Sequence, residues 1–133
     1  MLTTRQAQTI ISAAEAKAAA MGVPVNIAVL DAGAHLKAFS RMDGAVLGAI
    51  DVAKRKARTA VLFEANSEDV WEYCKPGAPA PTLELTNGGL APFAGGIPLK
   101  SPDGAMQGAV GVSGGSVEQD LEIAQAALAA FTH

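Results

Sequence analysis

The chain has 133 residues, 50% of them apolar, with a formal net charge of -3 and a pI near 5.3. One domain of this length buries a core without staples, and the acidic balance argues against nucleic acid or an anionic membrane as partner. The single cysteine, Cys74, excludes an internal disulfide and a paired-cysteine zinc or redox site. The opening Met1-Leu-Thr-Thr-Arg5 lacks the apolar run of a signal peptide and no stretch of about 20 apolar residues follows, so a cytoplasmic protein with no membrane partner is expected. Aromatic residues make up only 5% while alanine and glycine are abundant, which suits close packing of helices on a sheet and leaves part of the stability to subunit contacts.

Thr3 followed by Gln6 reads as a capping box, and Ala7, Ile10, Ile11, Ala14, Ala18 and Met21 then share one helical face. Gly22 and Pro24 end that helix. Val25 to Leu30, the turn Asp31-Ala-Gly33 and His35 to Arg41 predict a hairpin. In its second strand His35, Lys37, Phe39 and Arg41 fall on one side, a basic face turned from the core.

After the turn at Asp43-Gly44, residues 45 to about 63 have helical character, with Asp51 and Arg55 spaced to pair. Lys56 stands on the apolar face of this helix among Val52, Ala53, Thr59, Ala60 and Phe63, either snorkelling to its edge or touching a ligand. A short helix from Asn66 to Tyr73 precedes a loop stiffened by Pro76, Pro79 and Pro81, and Thr86 to Pro98 shows little periodicity. A loop of that length is where a pocket wall is expected. Ile97 to Lys100, the turn Ser101-Pro-Asp-Gly104, and Met106 to Ser113 form a second hairpin. Val117, Leu121, Ala124, Leu128 and Phe131 mark the inner stripe of a last helix. The order helix, hairpin, helix, loop, hairpin, helix implies an antiparallel sheet with helices, hence an α+β fold.

Gly114, Gly115 and Ser116 join the last strand to that helix, and its N–H groups and dipole make a candidate carboxylate or phosphate site; the alternative is a simple turn and cap. With only His35 and His133 as histidines, neither a nucleophilic triad nor an intrinsic metal site is expected. Arg41 and Asp43 are a candidate pair: the guanidinium binds a carboxylate, and the neighbouring carboxylate acts as base or orients the arginine. The alternative for these two is a turn salt bridge.

Val29-Leu-Asp-Ala-Gly33, Phe39-Ser-Arg-Met-Asp-Gly-Ala45, Ala53 with Lys56, Ala57, Thr59 and Ala60, Gly95-Gly-Ile-Pro98, and Gly108-Ala-Val-Gly-Val-Ser-Gly-Gly115 with Glu118 and Asp120 run in one order along the chain. In these motifs the chain resembles the GlcG/HbpS family, a haem-degrading-domain family also found fused to corrinoid adenosyltransferase domains. The resemblance implies a profilin-like α+β fold, a five-stranded antiparallel sheet flanked by helices, as a single domain over residues 1–133. It also implies a homo-oligomer, from dimer to octamer.

For function the resemblance implies either haem binding or an activity beside catabolic pathways, with enzyme and binding protein both open. Of the shared residues, Arg41 and Lys56 would hold a small carboxylate-bearing metabolite, Asp43 and Lys56 would be catalytic, and Gly95, Gly96, Gly114, Gly115 and Ser116 would shape the ligand pocket. For haem, Thr3 to Met21 contains no histidine, which leaves His35 or Met21 as iron ligand. A third reading makes the glycines and Arg41-Asp43 elements of subunit packing.

Overall fold

Thr3 opens the first helix with both halves of the capping box: Gln6 N–H donates to Thr3 Oγ1 at 3.1 Å and Thr3 N–H to Gln6 Oε1 at 2.8 Å. The structure, a computed structural model, describes residues 1–131, and the terminal His133 lies outside them. Helix α1 (Thr4–Met21) buries Ala7, Ile10, Ile11, Ala14 and Ala18 and stops at Gly22, whose φ of 70° is the left-handed conformation that glycine adopts without strain.

Strands β1 (Asn26–Asp31) and β2 (Leu36–Arg41) form the first hairpin, β3 (Gly96–Lys100) and β4 (Met106–Ser113) the second. All pairings are antiparallel, in the order β2-β1-β4-β3. Among the described residues the sheet thus has four strands and not the five that the family resemblance implied. The segment from residue 64 to 95, which carries Pro76, Pro79, Pro81 and Pro92, forms a helix, a 3-10 turn and irregular chain, and prolines there remove donors that a ladder needs.

Helix α2 (Ala49–Phe63) covers one face of β1, β3 and β4; α1 and α4 (Val117–Ala129) cover the other. The larger core lies on the α1/α4 side, built on Ile10, Ile27, Val29, Leu99, Val110, Val112 and Ile123. Each such side chain contributes about 1.5–3 kcal/mol when fully buried. Under α2 the cluster is thinner, Leu30, Ala57, Ala60, Val61 and Ala109. Small residues there let the helix approach the sheet: a methyl on Gly111 of β4 would overlap the carbonyl oxygen of Ala53. No helix among the described residues is long and apolar enough to cross a membrane.

Alternation in β2 follows the expectation from Ala38 to Arg41 and breaks at a bulge, which sets Leu36 opposite Leu30 on the α2 side and not with Ala38 and Ser40. Ser40 Oγ donates to Glu15 of α1 at 3.0 Å and Ala38 packs on the larger core, while Phe39 on the α2 side has Lys54 Nζ 5.4 Å from its ring centre. Two boundaries differ from the sequence expectation. Helix α2 starts at Ala49, four residues later than residue 45. The inner face of α4 is Asp120, Ile123, Ala124 and Ala127 with Phe131 beyond its end, whereas Val117 and Leu128 are 44% and 37% exposed.

Candidate functional site

Lys56 is the largest fully buried side chain, and it neither snorkels nor reaches an open pocket. Its ammonium donates to Asp120 Oδ2 and to the carbonyl of Val112, each at 2.9 Å, and lies 5.2 Å from the ring centre of Phe93. Both members of the ion pair are almost wholly enclosed. Burial pushes the Lys56 pKa below the usual lysine range, and the carboxylate of Asp120 opposes that shift. Asp120 spends its other oxygen on Gly115, whose N–H donates to Oδ1 at 2.9 Å. One buried pair therefore ties α2, the end of β4 and the start of α4 together.

The glycines of the shared motifs wrap this lysine. Gly95 has φ 131°, and a methyl there would press on the Val112 carbonyl and the Lys56 side chain; one on Gly96 would overlap the Lys56 carbonyl. Ser67, at the start of α3 (Ser67–Cys74), accepts from Gly96 N–H at 2.9 Å and donates to the Phe93 carbonyl at 2.6 Å. Thr59 accepts from Ala91 N–H at 3.0 Å. Arg55 donates to the carbonyls of Gly88 at 2.5 Å and Gly89 at 2.9 Å, and to Asp51 at 2.6 Å as the spacing predicts. The long loop is thus fastened to α2 and α3 along its length.

At the N-terminus of α4, the chain fills its own anion site. Ser116 and Gln119 form a complete capping box, and Asp120 takes the Gly115 N–H. The dipole of that helix end faces a carboxylate already present in the chain.

Arg41 and Asp43 are both exposed, and neither makes an ion pair among the described residues. Arg41 stands opposite Asn26 in the ladder, and Asn26 opposite Ser113. The backbone of Arg41 is therefore two strand spacings, about 10 Å, from the end of β4 where the Lys56 ammonium is held. Asn26 is fully buried; its Nδ2 donates to the Val46 carbonyl at 3.1 Å and its Oδ1 has no partner.

His35 sits at the tip of the first hairpin with its side chain 82% exposed and Nδ1 3.5 Å from Asp31 Oδ1. That carboxylate oxygen also accepts from Gly33 N–H at 2.9 Å and His35 N–H at 3.0 Å. The His35 amide, foremost among these groups, holds the Asp31 carboxyl below its usual range. The imidazole borders a cleft of about 330 Å³ whose other walls include Leu2, Gly33, Met106 and Gln107. Met21 is partly buried and packs on the larger core. Cys74 is buried, and burial, with the Glu84 carboxylate adding to it, pushes its thiol pKa up, against the thiolate form.

Sequence reasoning missed Asp120 as the partner of Lys56, although a carboxylate spaced three and four residues before Ile123 and Ala124 already lies on the apolar stripe. It also left Asn26 and Ser67 unremarked.

Comparison with known proteins identifies the family. The model of the family described as "Haem degrading protein HbpS-like" matches residues 2–129. A 15.0 kDa protein of the dhaT-dhaS intergenic region of Citrobacter freundii is 38% identical over 132 residues, 98% of this chain and 92% of that one. The structure of PduOC in complex with haem is similar at a TM-score of 0.92 and 36% identity, covering 97% of this chain and 94% of that chain. A double mutant of HbpS from Streptomyces reticuli gives a TM-score of 0.89 at 34% identity, covering 99% of this chain and 88% of that chain. With a match that takes in both hairpins, the buried lysine and its aspartate, the chain belongs to the HbpS-like family of haem-degrading proteins.

Proposed function

We propose that this chain binds haem and that His35 supplies the iron ligand. The observation that carries the reading is the imidazole at the hairpin tip: it is exposed, its Nδ1 faces the Asp31 carboxylate, and Nε2 is left to point outward. A carboxylate behind a ligating imidazole fixes its orientation and tautomer and raises its basicity. Leu2 and Met106 give the adjoining cleft an apolar wall of the kind a porphyrin edge needs. Met21 fits the role poorly, because its thioether is engaged in the core. When bound, haem brings iron-centred oxygen or redox chemistry; the protein's part is to hold, orient and shield the group.

A cleft of about 330 Å³ encloses less than a whole macrocycle. The reading therefore includes a homo-oligomer, within the range from dimer to octamer, in which a second copy completes the cover. That PduOC has been solved with haem, at 36% identity, supports haem as the small-molecule ligand. The metabolite reading is left with fewer donors. Lys56 is committed to Asp120 and Val112, so a carboxylate held between Arg41 and Lys56, with Asp43 as base, would rest on Arg41 and Asp43 alone.

The test is titration of the purified protein with ferric haem, followed by absorbance and by gel filtration of the product. A saturable Soret band that co-elutes with the protein is expected. Haem that stays in the small-molecule fraction, with stabilisation by a hydroxy or oxo acid that Arg41→Ala abolishes, would replace this reading with the metabolite one.

A further inference from the structure

Helix α3, the chain from Glu84 to Ala94 and the first residue of α4 border an open cavity of about 730 Å³, remote in sequence from His35 and its cleft. Its size falls within the range of about 300–1,000 Å³ typical of small-molecule sites. Four carboxylates line it, Glu68, Asp69, Glu72 and Glu84, and no lysine, arginine or histidine does. Only Glu72 is paired, to Lys75 at 2.6 Å. One oxygen of Glu68 and one of Glu84 are shut off from solvent with no hydrogen-bond donor. Each of these carboxylates nonetheless lines the cavity, so a cation held there would meet a charge that no lysine, arginine or histidine of the lining meets.

The apolar part of the lining carries the second half of the argument. Trp71 and Phe93 both line the cavity and stay 41% and 42% exposed, so their faces are open to a ligand. Phe93 is fixed on its interior side by the buried Lys56 ammonium. Aromatic faces beside carboxylates attract cations that also have an apolar body. A bare metal ion is a different case: among the described residues no three His, Cys, Asp or Glu groups come together closely enough to hold one. These carboxylates surround a volume instead of converging on a point.

We propose that this cavity binds an organic cation, a protonated amine on an aromatic or alkyl body, with Trp71 and Phe93 against the body and Glu68 and Glu84 accepting from the ammonium. The site is separate from the haem reading and stands or falls independently of it.

Trp71 is the only tryptophan of the chain, so its emission reports the cavity directly. The experiment titrates the native protein with phenethylammonium, with its anionic counterpart phenylacetate, and with neutral phenethyl alcohol. A saturable emission change at about millimolar amine is expected, weakened by salt. The double variant Glu68→Gln, Glu84→Gln, checked for fold by circular dichroism, should bind the amine roughly tenfold more weakly through loss of charge-assisted hydrogen bonds. Phenylacetate or the alcohol binding as well as the amine would overturn the proposal. So would unchanged amine affinity in the double variant. Acrylamide failing to quench Trp71 in the native assembly would also overturn it, since another copy would then cover the cavity.

Discussion

Asp120→Asn is the sharpest perturbation of the buried pair. Asparagine keeps the shape and an oxygen for Gly115 N–H but removes the charge that faces Lys56 across 2.9 Å, in a pair whose side chains are 1% and 4% exposed. Breaking a buried pair by removing one partner leaves an uncompensated charge and costs about 3–5 kcal/mol. For a domain of 133 residues this corresponds to a drop in Tm of roughly 10–20 °C. Urea denaturation at fixed protein concentration measures the free energy, and replacing both partners, Lys56→Met with Asp120→Leu, should cost clearly less than the sum of the two single changes. The pH dependence has a definite sign. In Asp120→Asn the carboxylate that opposed desolvation is gone, so Lys56 releases its proton earlier in the folded state, whereas the unfolded lysine keeps it up to its ordinary value of 10.5. In the window between the lowered folded pKa and 10.5 the unfolded chain binds more protons, and the variant's stability rises with pH relative to the parent. A loss below about 1 kcal/mol, the range of exposed ion pairs, or a deficit constant through the alkaline range would refute the reasoning.

Gly111→Ala and Gly96→Ala should each destabilise by about 1–3 kcal/mol, because the new methyl overlaps a carbonyl of α2, whereas Gly48→Ala, with open space around it and no positive φ, should be neutral or slightly stabilising in the same denaturation assay. The lowered pKa of Asp31 predicts a contribution to stability that is present above its ordinary value of 3.8 and lost as pH falls through the folded value. Asp31→Asn should flatten that part of the acid-denaturation curve, and an unchanged acid limb would count against a role for the turn carboxylate.

Much of the fold is written locally in the chain. The pairs Thr3 with Gln6 and Ser116 with Gln119 mark two helix starts, and Asp31-Ala-Gly33 and Pro102-Asp-Gly104 mark the turns of two hairpins. What failed was the phase of α4. Leucine and valine dominate a hydrophobicity pattern, so the stripe took in the exposed Val117 and Leu128 along with Leu121, Ala124 and Phe131, while the face that packs adds Ile123 and Ala127. Alanine carries little apolar signal yet permits the closest approach. That same error of phase hid Asp120, which lies at the N-terminal end of the inner face. Two opposite charges, each on the apolar stripe of its own helix, are a signal for a buried pair, but only once both stripes are placed correctly. The start of α2 was misjudged for another reason: its N-cap, Gly48, offers no side-chain hydrogen bond and so leaves no mark in the sequence. At the candidate site, His35 and its hairpin were legible, while the relation of Arg41 to Lys56 depends on strand order, which no local pattern encodes.

The claim that His35 holds haem iron is tested most directly by removing the imidazole and supplying it again from solution. The parent and His35→Ala are compared by absorbance and by electron paramagnetic resonance of the ferric complex, without and with added imidazole. The parent should show a Soret band and a histidine-type signal, His35→Ala should lose both while keeping its circular dichroism, and imidazole should restore them. Identical spectra in the parent and His35→Ala, with no response to imidazole, would contradict the assignment.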